Sequence, residues 1–330
     1  MLYLTERDAL DLLTMDDALA AVDQALRGVA DGTAAVAPRS RASMNGLNLN
    51  LLGGAVAGAS ADTDSGAVGA KIYVTGGGAA KFWGLLFDSR GALLALYEAD
   101  RLGQLRTGAA SGVSARLLAR PDSRRLAVIG AGYQARTQAE AIIAATGVRE
   151  VAVYGRTAAR AEDFAVSLAE DTGVAVRVDR SVADAVADAD IVVTMTSASE
   201  PLVRPDHLRE GTHYVFAGSN NPRNAEAEPA ALAAMDVLVT DDVAQAKGES
   251  GTLRRAVAEG AIGWDDVGTL GDALTGAAAG RTTARQMTAF VSHGLGTWDT
   301  ALARILHTKA ITAGRGTELP VDGAPVEGRR

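Results

Sequence analysis

Leu126-Ala-Val-Ile-Gly-Ala-Gly-Tyr-Gln-Ala135, LAVIGAGYQA, carries four apolar residues directly into Gly130-Ala131-Gly132-Tyr133-Gln134-Ala135. An apolar run that ends in G-x-G-x-x-A and opens an alanine-rich stretch predicts strand, tight turn and helix start, the context in which this spacing binds a dinucleotide. Gly130 permits the turn, Gly132 lets a pyrophosphate approach the backbone, and Ala135 packs helix on sheet. The helix start, with Ala131, Tyr133 and Gln134 around it, offers amides to the phosphates.

Working outward, the same rhythm repeats. EVAVYG, VAVRV, DIVVTMT, HYVFAG and DVLVTD are short apolar runs, most of them separated by alanine-rich helical segments. Such alternation predicts right-handed βαβ units and a parallel sheet with helices on both faces. The expected class is α/β, with a Rossmann-type doubly wound parallel sheet over residues 120–293. At the end of the second strand, NAD proteins usually carry an acid for the ribose hydroxyls, but this chain has Gly155-Arg156-Thr157. A cation and a hydroxyl there suit a 2′-phosphate, so NADP(H) is favoured over NAD(H). The alternative is a solvated arginine at a helix start.

Before Pro121 the pattern differs. Thr5 with Asp8, and Thr14 with Asp17, resemble N-caps of two helices over 5–31 that end at Gly32. Segments 36–43, 47–56, 66–75 and 82–97 read as strands, the last a hairpin turning at Asp88-Ser-Arg-Gly91, and a helix is expected from Asp100 to Ala119. This is a mixed α+β domain for substrate binding and dimerisation, residues 1–119. A last helix from about Gly294 to Ala310 carries the stripe Leu295, Trp298, Ala301, Leu302, Ile305 and Leu306. Segment 294–330 could return to complete the first domain, and the tail after Gly314 is expected to be mobile.

Composition narrows the function. Net charge is −8 with no long basic run, which disfavours nucleic acid and anionic membranes as partners. With no cysteine and four scattered histidines, disulfides, thiolate catalysis and a metal site are not expected. Acids interrupt the N-terminal apolar stretch and no 18-residue apolar segment occurs, so a cytoplasmic location is expected.

Gln104-Leu-Arg-Thr-Gly-Ala-Ala-Ser-Gly-Val113 places Arg106 at the head of a run of very small side chains. A buried guanidinium needs an anion, and a substrate carboxylate beside the nicotinamide matches its fork. Two more cations lie in the strands of the first domain: Arg39 in APRSR and Lys71 in GAVGAKIYV. Strand alternation leaves Lys71 either an inward functional cation or an exposed edge lysine.

Together, EADRLGQLRTGAASGVSARLLAR, VIGAGYQAR, VYGRTAARAEDFA, TMTSASEPLV, HYVFAGSNNPRNAE and FVSHGLGTWDTALA make the chain resemble the ornithine cyclodeaminase and mu-crystallin family. The resemblance implies a homodimer and an active site at the junction of the two domains. It places the substrate-carboxylate arginine at Arg106, a lysine at Lys71, an N-terminal arginine at Arg39, with Arg41 two residues on, and an aspartate at Asp299. Thr107, Arg160, Thr196 and Asn220 lie in the segments that carry the resemblance and join the expected cofactor-binding set with Arg156 and Thr157. One departure stands out. Gly218-Ser-Asn220-Asn-Pro-Arg-Asn-Ala-Glu226 has Asn220 where ammonia-releasing cyclodeaminases resemble one another in an aspartate, and an amide cannot act as a general base. Mu-crystallin-like ketimine reductases also lack that acid.

The expected function is therefore NADPH-dependent reduction of a C=N bond next to a carboxylate, as in a cyclic imino acid of the pyrroline- or piperideine-2-carboxylate type. Lys71, Arg106 and Asn220 are the expected catalytic group, with Arg39, Lys71 and Arg106 binding the substrate. One alternative is an ornithine or lysine cyclodeaminase or amino-acid dehydrogenase, in which Glu226, Asp299 or Lys71 replaces the missing base. A non-catalytic NADP(H)-dependent ligand-binding protein is another. Trp83, Trp264 and Trp298 are read as packing residues, Gly76-Gly77-Gly78 as a loop near the mouth of the site, and His207 and His213 as flanking the fifth strand without a role. His293 either touches the cofactor or makes a structural bond at a helix start.

Overall fold

The computed structural model describes residues 1–58, 66–78 and 80–320. The chain opens with strand β1 (Leu2–Leu4), helices α1 (Glu6–Leu12) and α2 (Met15–Asp31), and strands β2 (Ala34–Met44), β3 (Leu47–Val56), β4 (Ala67–Thr75), β5 (Lys81–Asp88) and β6 (Leu93–Glu98). Both leading helices start in full capping boxes, Thr5 with Asp8 and Thr14 with Asp17, and α2 stops at Gly32 in the left-handed region. Strands β2 to β6 form an antiparallel meander, and β1 joins β6 in parallel. No strand was expected before Thr5.

Helix α3 (Asp100–Leu118) is buried along most of its length. Its small residues serve contact with the next helix: a methyl group at Gly112 would stand 2.7 Å from the Ala141 carbonyl oxygen, and one at Gly108 2.5 Å from the Thr137 carbonyl carbon. The run after Arg106 is therefore a close helix crossing, and Arg106 is shielded by other parts of the chain.

The second sheet follows with β7 (Arg125–Ile129), α4 (Tyr133–Ala145), β8 (Glu150–Tyr154), α5 (Ala158–Thr172), β9 (Ala175–Val178), α6 (Val182–Val186), β10 (Ile191–Thr194), β11 (His213–Phe216), α7 (Pro229–Ala233), β12 (Val237–Thr240), α8 (Val243–Glu249), α9 (Gly251–Ala258), β13 (Gly268–Thr269), α10 (Leu270–Thr275) and β14 (Thr288–Val291). All pairings are parallel, in the order β13-β12-β14-β11-β10-β7-β8-β9. Order reverses between β7 and β10, the crevice where doubly wound sheets bind ligands. Two features differ from expectation. The four-residue strand β14 has a weak sequence signal because only TAFV separates a polar loop from SHGLG, yet it sits fully buried between β11 and β12. His213 does not flank its strand but opens it, buried, with Nδ1 2.9 Å from the Thr288 hydroxyl and Nε2 3.2 Å from that of Ser114.

Helix α11 (Gly296–Ala313) returns to the first sheet and ends at Gly314 in the left-handed region. Glycine permits this contact: a methyl group at Gly54 would stand 2.6 Å from the Thr297 backbone nitrogen, and one at Gly69 2.6 Å from the Thr300 hydroxyl. The tail expected to be mobile begins as an ordered edge, because β15 (Thr317–Glu318) pairs antiparallel with β1. Residues 321–330 lie outside the described residues. Among the described residues no helix is long and apolar enough to cross a membrane.

Candidate active site

Lys71 faces inward. It pairs across the ladder with buried Leu52, on the side of the sheet covered by α11, whereas Leu47, Leu49, Leu51 and Val74 alternate onto the open face. Its Nζ lies 3.2 Å from Asp299 Oδ1 and 5.0 Å from the centre of the Phe82 ring. Arg106 Nε donates to the same Oδ1 at 3.2 Å, and the guanidinium stands 5.8 Å from the Trp298 ring. Asp299, one turn into α11, thus joins a strand lysine and a helix arginine that are 35 residues apart in sequence. Trp298 is a packing residue, as expected, and also a neighbour of the site's cation.

Burial sets the electrostatics. It pulls the Lys71 ammonium down to about 8, against the stabilising charge of Asp299. Burial alone would raise the Asp299 carboxyl, but Arg106 and Lys71 outweigh it and hold the group below the usual carboxylate range. Asp299 is a weak base, fixed in its charged form.

Arg39 is aimed by a β-bulge. Between the pairs Ala37↔Gly53 and Ser40↔Leu51, two residues of β2 oppose one of β3, and Pro38 in the bulge has no N–H to lose. The Arg39 guanidinium binds Glu249 Oε2 in a short contact and donates to the His293 carbonyl oxygen at 3.0 Å. Arg41 takes another route: its Nη2 reaches Glu249 Oε1 at 3.1 Å and donates to the Asn220 backbone and side-chain oxygens at 3.1 and 3.2 Å. Asn220 is thereby tied to the first sheet by its amide oxygen.

Two acids escape a reading of the sequence. Glu249, near the end of α8, holds both arginines and gives no signal beyond an acid in a helical stretch. Asp241 follows β12 directly, and its Oδ2 accepts the backbone amides of His293, in a short contact, and Gly294, at 2.6 Å. Burial pushes its carboxyl up to about 6 despite these donors. It fixes a turn in which Gly294 has φ +82°, where any Cβ would collide with the Arg106 guanidinium. An acid at the carboxyl end of a parallel strand was the available clue.

Burial raises the Glu226 carboxyl, but both its oxygens are occupied by donors. Its carboxylate accepts from the Gly218 amide at 2.8 Å and from the Thr196 amide and hydroxyl, both at 3.0 Å. It pins together the ends of β10 and β11. Thr196 is correspondingly committed to Glu226, a structural partner 30 residues away that no local pattern announces.

A cavity of about 330 Å³ has Arg39, Lys71, Arg106, Asn220 and His293 among its walls, together with Gln134 of the dinucleotide fingerprint. Thr107 lines it as well, its hydroxyl donating to the Gly103 carbonyl at 2.7 Å. Gly76 to Gly78 are absent from these walls; Gly76 lies against the β2–β3 turn at Gly46.

The fingerprint fits a dinucleotide. Gly130 has φ +117°, Ala135 is fully buried, and helix α4 starts at Gly132 with no side-chain cap. A methyl group at Gly132 would meet nothing within 4 Å, so space is open above the helix start. Ala131 and Gly132, with half-exposed Tyr133 and exposed Arg160, line a neighbouring groove. Arg156 and Thr157 are exposed past the end of β8, and Thr157 makes no side-chain cap on α5. We therefore expect Gly132→Val to leave the melting temperature within a degree or two while weakening binding of the reduced nicotinamide cofactor, NADH or NADPH, about a hundredfold, measured by cofactor fluorescence. Equal losses of both would show that the space is structural.

An open dinucleotide cradle beside a buried cationic cavity places the chain among nicotinamide-dependent oxidoreductases. It belongs to the ornithine cyclodeaminase/mu-crystallin family, whose sequence model matches residues 2–314. It is 36% identical over 230 residues to a Delta(1)-pyrroline-2-carboxylate reductase of Bacillus cereus, covering 69% of this chain and 70% of the relative. Alanine dehydrogenase of Archaeoglobus fulgidus is 31% identical over 328 residues, covering 96% and 98%. Among solved structures, Thermococcus litoralis Delta(1)-pyrroline-2-carboxylate reductase in complex with NADH and L-proline superposes with a TM-score of 0.90 at 28% identity, over 97% of this chain and all of that one.

Proposed function

We propose that the protein reduces a C=N bond adjacent to a carboxylate, with cyclic imino acids such as Δ1-pyrroline-2-carboxylate as substrates and NADPH preferred over NADH. The observation that carries this reading is the cavity that Arg39, Lys71 and Arg106 line together with Gln134 of the dinucleotide fingerprint, next to the groove lined by Ala131 and Gly132. In this reading Arg106 and Arg39 receive the carboxylate, Lys71 donates a hydrogen bond to the same carboxylate, and Asn220 orients the ring. The substrate in this reading is the protonated iminium, C=N–H+; a bound NADPH would supply the hydride to its carbon and leave as NADP+, and the carbon–nitrogen π pair becomes the lone pair of the secondary amine. The residues supply orientation and charge, and none needs to become covalently attached.

The relatives named above support an imine or amino-acid substrate. Ammonia release would have to rely on Lys71, drawn down to about 8 but paired with Asp299, because Glu226 is held by three donors, Asp299 is a weak base, and Asn220 cannot take a proton. The division into a substrate and dimerisation domain of residues 1–119, completed by segment 294–330, and a cofactor domain of 120–293 belongs to the same proposal. So does the homodimer, for which Met44, Leu47, Leu49, Leu51, Val68 and Val74 provide an exposed apolar face on β2 to β4.

The test is NADPH oxidation with Δ1-pyrroline-2-carboxylate and Δ1-piperideine-2-carboxylate, beside assays of ammonia release from ornithine and lysine. Imine-dependent oxidation is expected; ammonia release without it would overturn the reading. Arg156 makes no hydrogen bond or ion pair among the described residues and is free to meet a 2′-phosphate. Arg156→Asp should lower kcat/KM for NADPH about a hundredfold and leave NADH nearly unchanged; equal losses with both cofactors would remove the basis for the NADPH preference.

A further inference from the structure

His293 is 6% exposed, lines the cavity, and has a ring nitrogen, Nε2, that is buried without a hydrogen-bond partner. Its other nitrogen, Nδ1, lies 3.4 Å from the Thr240 hydroxyl. That hydroxyl gives its own hydrogen to the Val291 carbonyl oxygen at 2.7 Å, so it can only accept from Nδ1–H. The proton therefore sits on Nδ1, and Nε2 presents a lone pair. Burial and the neighbouring Arg39 charge pull the imidazole down to about 3, so the ring stays neutral.

Arg39, Lys71 and Arg106 are cations. Of the acids nearby, Glu249 holds Arg39 and Arg41, Asp299 Oδ1 holds Lys71 and Arg106, and Asp241 Oδ2 holds the backbone of the His293 turn. Asp299 Oδ2 and Asp241 Oδ1 are also buried without partners, but neither residue lines the cavity; Asp100 does, and it is a partner of Tyr133. A buried, unpaired acceptor among them costs free energy until a ligand N–H or O–H meets it. Its position also matters. Arg39 donates to the His293 carbonyl, and the next residue, Gly294, lies against the Arg106 guanidinium. The acceptor thus stands beside the proposed carboxylate clamp, and the nitrogen of an imino acid is one carbon removed from its carboxylate.

We propose that His293 Nε2 accepts a hydrogen bond from the protonated nitrogen of the substrate and so selects C=N–H over C=O. This rests on the reading of an imino-acid reductase given above. A 2-oxo acid, or a ring with oxygen in place of N–H, would set its own lone pair against that of Nε2 and leave both unpaired. His293 is in this account a specificity-determining residue for cyclic ketimines and their secondary-amine products.

The probes are pyrrole-2-carboxylate and furan-2-carboxylate, planar five-membered rings that differ in N–H against O. Each is titrated calorimetrically into the protein saturated with NADP+. The wild type should bind the pyrrole at least about tenfold more tightly. His293→Phe should abolish that difference while the Kd for NADPH stays within about twofold, and His293→Gln, whose amide oxygen can accept, should restore part of it. Equal binding of the two rings by the wild type, with imine reduction intact, would overturn the role of His293 alone. Failure of both rings to bind, together with no imine turnover, would overturn the substrate reading and this inference with it. If His293→Phe weakened NADPH binding and kept the ring preference, Nε2 would face the nicotinamide amide and the inference would fall.

Discussion

Arg106→Ala should lower kcat/KM for a cyclic imino acid by about a thousandfold, equivalent to roughly 4 kcal/mol, the scale of losing one partner of a buried charge pair. Arg106 is 7% exposed, and its guanidinium holds Asp299 through Nε at 3.2 Å and has its Nη1 face against Gly294. The remainder of its fork is available to a carboxylate at the cavity wall. Arg106→Lys keeps the charge but not the planar fork, and should recover only part of the loss. The rate constants separate binding from orientation: a rise confined to KM means uniform binding, whereas a matched fall in kcat means that the clamp holds the imine carbon for transfer. Cofactor affinity should change little in either variant.

Asp299→Ala should have the largest effect on stability, about 3 kcal/mol at pH 7, because it strands two buried cations. Lys71 is already drawn down to about 8 with its partner present. Without Asp299 it falls further, so the folded variant sheds the proton and part of the cost is relieved. The sign follows from linkage. A lysine whose folded value lies below the unfolded value of about 10.4 makes the folded state bind fewer protons, and stability rises with pH through that window. The wild type loses the Lys71–Asp299 attraction as pH passes about 8, so the lysine part of the variant's deficit should be largest on the acid side, shrink as pH rises towards about 8 and be gone above it. Urea melts at about pH 6.5 and about pH 9, either side of that value, would check this; a deficit independent of pH would mean that Asp299 acts only through Arg106.

Much of this architecture is legible in sequence because it depends on local chemistry. Thr5 and Thr14 announce helix starts through acids three residues on, Gly32 and Gly314 stop helices in the left-handed region, and LAVIGAGYQA joins a strand to an uncapped helix start. Arg106 is legible for another reason: a lone cation in a small-residue helix demands an anion. What remained hidden is what distant segments bring to one another. Asp299 is 228 residues from Lys71, and Glu249 is 210 from Arg39, so neither pair leaves a local pattern. The bulge that aims Arg39 follows from pairing with β3, which the tripeptide Pro38-Arg39-Ser40 does not reveal. β14 is too short to stand out, although it leads directly into His293 and the turn that Asp241 fixes. Glu226 counts as a candidate proton acceptor in the sequence because a carboxylate is visible there and the donors that occupy it are not.

The most direct test compares Δ1-pyrroline-2-carboxylate with Δ1-pyrroline, the same imine without the carboxylate, in NADPH oxidation by the wild-type protein. A carboxylate clamp of Arg106 and Arg39 predicts that the carboxylate-bearing ring is reduced with a kcat/KM at least about a thousandfold higher, and that Arg106→Ala brings the two rings together. Equal reduction of both rings by the wild type would contradict the account, because the cations of this cavity would then serve the fold and not the substrate.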